Sequence, residues 1–311
     1  MSESAILWDR AGYSVPHGFW MKPRVIIREM SLSLPQGKVL GLVGPNGAGK
    51  TTTIKLGAGL LKPGSGRVLI RGIPAMEPSA RRELGLLTET QYIYPHLRLY
   101  EWLAMLGEFS GIRGPRLSQR IETVLDQFNL TERKSQMMNS LSKGQLQRAG
   151  LAQVFLHEPE ILLLDEPMSG LDPYWRYQTQ KILGEFKAAG GTILFSSHII
   201  FDVERLCDQI VLLKDGALQW TGTLKEMTRK IKGYEAVCTV RDEQIIHQFS
   251  DGKAFRQPKG EWVLPVPVDQ KNELLRLASE GVLELESLRP IQEEIEEVLF
   301  GVNSKSGEAS S

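Results

Sequence analysis

The sequence predicts an α/β protein whose sheet carries a phosphate-binding loop, interrupted by a helical block and followed by a small C-terminal α/β appendage. Three observations carry this expectation. The glycine-rich run Gly44-Pro45-Asn46-Gly47-Ala48-Gly49-Lys50-Thr51 stands between the apolar stretch Val39 to Val43 and a helix-like segment. Ile161 to Leu164 is apolar at every position, as expected of a parallel strand covered on both faces. Helix-like Tyr177 to Ala189 then leads to strand-like Thr192 to Ser196, completing a βαβ unit.

The remaining elements follow in order. Thr51 to Leu61 reads as a helix stopped by Pro63-Gly64, and Val68 to Ile70 and Leu84 to Leu87 read as strands. Leu99 to Phe109, Leu117 to Phe128 and Lys143 to His157 are helical in character, which places a helical block over roughly residues 95–158. Ile210 to Leu213, Lys214-Asp215-Gly216 and Leu218 to Thr221 form a predicted hairpin. Thr223 and Glu226 then make a capping box for a helix from Leu224 to Ile231, so the first domain is expected to span 1–232. Over 233–302, strand-like Tyr234 to Val240, Trp262 to Val266 and Val282 to Leu288 alternate with helix-like Gln270 to Ser279 and Ile291 to Leu299. The Ser-, Gly- and charge-rich tail 303–311 is expected to be disordered.

At 311 residues the chain has room for about two domains of ~100 to 200 residues each. Its 37 Lys and Arg balance 37 Asp and Glu, which disfavours bulk electrostatic binding of nucleic acid. Cys207 and Cys238 lie far apart without zinc-ligand spacing and read as buried or inert thiols of a reducing compartment. No apolar run approaches the ~20 residues that span a bilayer, and Met1 to Arg10 lacks the order of a signal peptide. A cytoplasmic location is the expectation. No internal repeat and no second glycine-rich motif is present.

The chemistry concentrates in two places. Gly44 to Thr51 matches GxxxxGK[ST] in the strand-to-helix setting the motif requires: Gly44, Pro45, Asn46, Gly47, Ala48 and Gly49 shape a backbone cradle for phosphate, Lys50 supplies a cation, Thr51 offers a hydroxyl to Mg²⁺, and Thr52 follows in the helix. Asp165 and Glu166 end the apolar strand, where open α/β sheets bind ligands; Asp165 can hold Mg²⁺ through water and Glu166 can polarise an attacking water. The bland reading of the pair is an acidic turn, and Ser142 by itself is an ordinary helix N-cap.

Taken together, the segment Leu141 to Arg148, which opens Leu141-Ser142-Lys143-Gly144-Gln145 and lies between the loop and Asp165-Glu166, resembles the signature motif of ABC transporter ATPases. Ser169-Gly170-Leu171-Asp172 resembles that family's D-loop and His198 its switch histidine, so the resemblance covers roughly residues 5–230. It implies a P-loop NTPase fold of ABC ATPase type, with ATP and Mg²⁺ bound in a head-to-tail dimer. Lys50 and Thr51 of one subunit and Ser142, Gly144 and Gln145 of the other enclose each nucleotide, while His198 reaches the γ-phosphate. The second ATPase subunit is either a second copy or a paralogue.

Three positions depart from the family pattern. Lys143 replaces a glycine of the signature, Met168 a common Thr or Ser, and Glu89 stands at the Q-loop position, where its carboxylate can still ligate a hard cation. The adenine-stacking residue is open between Tyr13, Phe19 and Trp20, because alignment near Tyr13 also places Val15 at that position. Tyr92, Tyr94, Tyr100 and Trp102 crowd the region after Glu89, where the family receives its membrane subunit; Trp102 has the helical spacing of a core residue. The resemblance implies the ATP-hydrolysing subunit of a membrane transporter, peripheral on the cytoplasmic face through transmembrane permease subunits. Leu285 to Pro290 with Glu293, Glu294 and Phe300 is similar to the ends of drug-export-type ATPases, which favours export. The competing class is a non-transport ABC ATPase acting as a nucleotide-gated clamp or regulator.

Overall fold

The computed structural model describes residues 4–18, 22–90, 93–223, 226, 231–240, 245–249, 254–258 and 260–292. The chain groups into two compact units, Met1–Thr223 and Leu224–Ser311.

The first unit runs β1 (Ser4–His17), β2 (Lys22–Pro35), β3 (Val39–Val43), α1 (Lys50–Gly57), β4 (Ser65–Ile70), β5 (Ile73–Pro74), β6 (Leu84–Leu87), α2 (Leu99–Phe109), α3 (Gly114–Gln127), α4 (Lys143–Phe155), β7 (Ile161–Leu164), α5 (Pro173–Ala188), β8 (Thr192–Ser196), α6 (Ile200–Leu206), β9 (Gln209–Lys214) and β10 (Ala217–Gly222). Two sheets result. An antiparallel one has the order β2-β1-β4-β5, and a six-stranded one has the order β10-β9-β3-β8-β7-β6. In the second, β9, β3, β8, β7 and β6 are parallel, and only β10 at the edge runs against its neighbour.

The parallel register fixes where chemistry can occur. Leu42 pairs with Ser196, Phe195 with Leu164, and Leu164 with Leu87, so β3, β8, β7 and β6 end along one edge. The segments that follow these strands therefore share the crevice outside the carboxyl ends, where such sheets bind ligands. β3, β7 and β8 are buried along their whole length, as their continuous apolar runs require.

The antiparallel sheet is tied to α1 by Trp8. Its side chain is fully buried and its Nε1 donates to the Thr53 carbonyl at 3.2 Å. α1 is shorter than the expected Thr51–Leu61, because Gly59 turns the chain at φ +64° and Leu60 N–H closes on Lys55 O at 2.9 Å. A Cβ at Gly59 would lie 1.9 Å from Ala75 O. The helix stop is thus this glycine, ahead of Pro63-Gly64.

The helical block is built as expected. α3 buries Leu117, Ile121, Val124 and Leu125 at helical spacing, and Trp102 of α2 lies in the core at 2% exposure. α4 stops at Phe155, two residues short of the expected His157, and Glu158 follows at φ +57°. α5 starts at Pro173, four residues ahead of Tyr177, because Asp172 caps it by accepting from Trp175 N–H and proline suits the first turn.

The second unit contains β11 (Ile231–Val240), α7 (Ile246–Phe249), β12 (Phe255–Arg256), β13 (Trp262–Pro267), α8 (Lys271–Ser279) and β14 (Leu283–Gln292). Its antiparallel sheet has the order β12-β13-β11-β14, packed on Ile246, Phe249 and Leu274 through Ala236, Cys238, Leu264, Val266 and Leu283. Two expectations are corrected. Ile231 opens a strand instead of closing a helix, and Ile291 and Gln292 continue β14 by pairing with β11. Residues 293–299 and the tail 303–311 lie outside the described residues, as does most of the segment 224–231. Cys207 and Cys238 are free thiols, and burial pushes both thiol pKa values up.

Because Trp8 joins the antiparallel sheet to the helix that follows the phosphate loop, Trp8→Ala is expected to cost about 3 to 5 kcal/mol. Urea unfolding followed by fluorescence measures it. A loss below about 1 kcal/mol would show that the two layers do not depend on this contact.

Candidate active site

The loop Gly44–Gly49 leaves the end of β3 and turns directly into α1. Gly49, the residue before the helix, adopts φ +106°, and a Cβ there would lie 2.5 Å from Ile27 Cδ1 and 3.3 Å from Ile26 O. Only glycine fits this junction. The loop N–H groups thereby gather at a helix N-terminus, an arrangement suited to anions. Lys50 is buried and its Nζ donates to Gly44 O at 2.7 Å and Pro45 O at 3.3 Å, which holds the ammonium over the loop.

Asp165 and Glu166 leave the end of β7 beside this loop. Asp165 is 1% exposed; its N–H donates to Leu87 O, its Oδ1 accepts from Ser196 Oγ at 2.6 Å, and its Oδ2 is buried without a hydrogen-bond partner. Ser196 Oγ also accepts from Glu166 N–H at 2.9 Å, so one hydroxyl positions both acids. Glu166 has φ +49°, a left-handed conformation uncommon outside glycine. Its Oε2 lies 2.9 Å from His198 Nδ1. Burial pushes the Glu166 carboxyl above its usual range, while His198 and Lys50 pull it back down.

One cavity of about 470 Å³ gathers Asn46, Gly47, Gly49, Lys50, Thr51 and Thr52 with Glu89, Asp165 and Glu166; Arg24 and Ile26 of β2 complete its wall. That volume suits a small-molecule ligand. Thr51, Glu89 and Asp165 line one space, and the Asp165 Oδ2 is buried without a partner, a set of oxygen-bearing side chains that fits a hard divalent cation. No group of three or more His, Cys, Asp or Glu residues forms a metal cluster among the described residues. A hard cation held by so few protein oxygens takes the rest of its shell from water or ligand oxygens, the usual situation for Mg²⁺.

Several candidates lie elsewhere. Tyr13 is half-buried on β1 opposite Ile27, packs against the core, and does not line the cavity. Phe19 and Trp20 lie outside the described residues. Ser142, Gly144 and Gln145 form the first turn of α4 and are likewise absent from the cavity wall. Ser142 and Gln145 make a reciprocal capping box, with Gln145 N–H donating to Ser142 Oγ at 3.3 Å and Ser142 N–H to Gln145 Oε1 at 2.9 Å. Lys143 lays its stem against Gly170, so the residue that departs from the signature packs on the segment Ser169 to Asp172.

Sequence reasoning missed four contributors. Ser196 stands in the run Ser196-Ser197-His198, where only the histidine was given a role, and Arg24 and Ile26 reach the cavity through the register of β2. Gln147, inside the signature-like segment but given no role there, donates to Glu166 O at 3.2 Å and Pro167 O at 2.9 Å, linking α4 to the acidic strand end. Gln147 stands five residues after Ser142, off the i+3 and i+4 positions that share a helix face, so helical spacing did not single it out.

A parallel sheet with a phosphate loop, a buried aspartate and an adjacent glutamate-histidine pair at its carboxyl edge defines a P-loop nucleotide hydrolase. The ABC transporter family matches residues 27–169. An uncharacterized ABC transporter ATP-binding protein of Nostoc sp. is 38% identical over 248 residues, covering 79% of this chain and 74% of that protein. The Nod factor export ATP-binding protein I of Cupriavidus metallidurans is 31% identical over 221 residues, covering 70% and 73%. A solved structure described as the ATP-binding subunit of an ABC transporter superimposes with a TM-score of 0.65 at 30% identity, over 72% of this chain and 92% of that one. This chain belongs to the ABC transporter family as an ATP-binding subunit, and it is an ATPase.

The Glu166 environment is directly measurable. In His198→Ala the carboxyl loses the neighbour that lowers its pKa, so its titration midpoint moves to higher pH. Carboxyl-carbon NMR of the labelled chain reads this, and an unchanged or lower midpoint would contradict the contact.

Proposed function

We propose that this chain is the ATP-hydrolysing subunit of a membrane exporter, driving separate transmembrane subunits through ATP-dependent closure of a dimer. The observation that carries the dimer is the separation of the site's parts. The phosphate loop and both acids share one cavity, whereas Ser142, Gly144 and Gln145 lie outside its wall on α4. A second copy or a paralogue supplies these residues across the interface, and the positive N-terminal end of its α4 then faces the terminal phosphate. Export is supported by the relative described as a Nod factor export protein.

In this reading Gly44 to Gly49, Lys50 and Thr52 bind the phosphates, and Thr51, Asp165 and Glu89 hold Mg²⁺. The cation neutralises phosphate charge when bound. Glu166, raised in pKa yet held by His198, accepts a proton from the attacking water, and His198 fixes its direction. Among the described residues no helix is long and apolar enough to cross a membrane, so the membrane path belongs to the partner. Tyr94 and Met137 are exposed on or beside the helical block and suit a docking surface for that partner. Trp102 is core, Tyr100 is half-buried with its hydroxyl 3.3 Å from Ser118 Oγ, and Tyr92 lies outside the described residues. The chain is then peripheral on the cytoplasmic face, with 233–302 as an accessory domain.

Glu166→Gln is expected to keep ATP binding, slow hydrolysis roughly 10²-fold or more, and accumulate an ATP-dependent dimer in light scattering. Lys50→Ala instead weakens ATP binding itself. Near-normal turnover of Glu166→Gln with the membrane partner, or unchanged ATP affinity of Lys50→Ala, would contradict these assignments.

A further inference from the structure

We propose that the second unit carries a ligand site of its own, which takes an apolar organic cation at the end of its sheet. A cavity of about 480 Å³ opens where α8 leads into β14, a volume suited to a small molecule. Its described walls all belong to the unit Leu224–Ser311. Val240, Ala278, Leu283 and Leu285 line it and continue the apolar core of that unit, so a ligand with an apolar body gains by leaving water there.

Two features set the sign of the ligand's charge. Among the described residues that line the cavity Glu284 is the one ionisable group, and no ion pair or hydrogen bond to another described residue engages its carboxylate. Thr239 lies opposite Glu284 in the β11–β14 pair, which sets a hydroxyl beside the acid on the face away from Leu283 and Leu285. Ala278 and Gly281 bring the C-terminal end of α8 to the same cavity, and the dipole of a helix is negative at that end. Both features favour a cation. Lys50 and the glycine loop of the nucleotide cavity have no counterpart among the described residues here, so a phosphate or carboxylate ligand would be buried without a partner.

The shape selects a compact ligand over a peptide. β14 is an edge of its sheet, where an extended chain can add by backbone pairing. Such a chain would follow Leu283–Gln292, yet the cavity meets this strand only as far as Leu285 and reaches past it to Thr239 and Val240 of β11. A Cβ at Gly281 would meet nothing within 4 Å, which leaves the cavity open on that side.

Tetraphenylphosphonium and tetraphenylborate share a shape and differ in the sign of their charge; phenethylammonium and phenylpropanoate make a slimmer pair. Calorimetric titration of all four into the full chain, Glu284→Gln and Ala278→Trp tests the site. In at least one pair the cation is expected to bind more than about tenfold tighter than the anion. Glu284→Gln weakens that cation by about tenfold, and Ala278→Trp, which fills the cavity, abolishes its binding while ATP still binds. Equal affinity for cation and anion, a cation affinity unchanged in Glu284→Gln, cation binding that survives in folded Ala278→Trp, or no binding of any of the four would overturn the proposal. Glu284 is exposed, so Glu284→Gln keeps the fold and decides the outcome even where Ala278→Trp does not fold.

Discussion

The arrangement depends on one buried carboxylate. Asp165 is almost fully removed from water, a placement that costs several kcal/mol for an isolated charge. Ser196 satisfies one oxygen from the next strand, and the other oxygen is buried without a hydrogen-bond partner. That constraint requires β7 and β8 to be adjacent, parallel and in the register observed. With β8 also paired to β3, the phosphate loop is brought to the same edge. The fold is thus organised around putting an anion-binding loop and an unfinished carboxylate within reach of one polyanionic ligand.

Glu166 shows how the same strand end serves a second purpose. Its left-handed backbone costs roughly 1 kcal/mol or more for a side chain of this size. The Ser196 hydroxyl, accepting from its N–H, and Gln147, donating to its carbonyl, hold that conformation from two sides. The consequence is a side chain turned toward His198 while Asp165, one residue earlier, points into the sheet edge. Adjacent carboxylates thereby occupy different environments, which is what separate roles in metal binding and proton transfer need.

Much of this was legible in the sequence because it depends on local patterns. The apolar runs of β3 and β7, the glycine loop and the order of Ser142, Asp165 and His198 are short-range features whose setting follows from strand and helix periodicity. What escaped depends on long-range register. Ser196 stands two residues before the switch-like histidine, but its own importance comes from lying between Leu42 of β3 and Leu164 of β7 through its neighbour Phe195. Arg24 and Ile26 reach the cavity only because of how β2 pairs with a β1 that contains several register shifts. The early stop of α1 follows from the close approach of Gly59 to Ala75, a contact between segments that no local pattern records. At the far end, apolar Ile291 has helix-like neighbours in sequence, yet pairing with β11 claims it for a strand.

The central claim is that the cavity in one chain is half of an ATPase, completed by the signature turn of another. Mixing two defective chains tests it most directly. Lys50→Ala disables the phosphate loop, and Ser142→Asp preserves the helix cap while placing a negative charge where the partner's phosphate should sit. Each homodimer carries two broken sites, but a mixed dimer has one site with both halves intact. ATP hydrolysis that is absent from either variant and returns on mixing is the predicted result. Hydrolysis that stays absent at every mixing ratio, while the parent chain prepared alongside is active, would contradict the account.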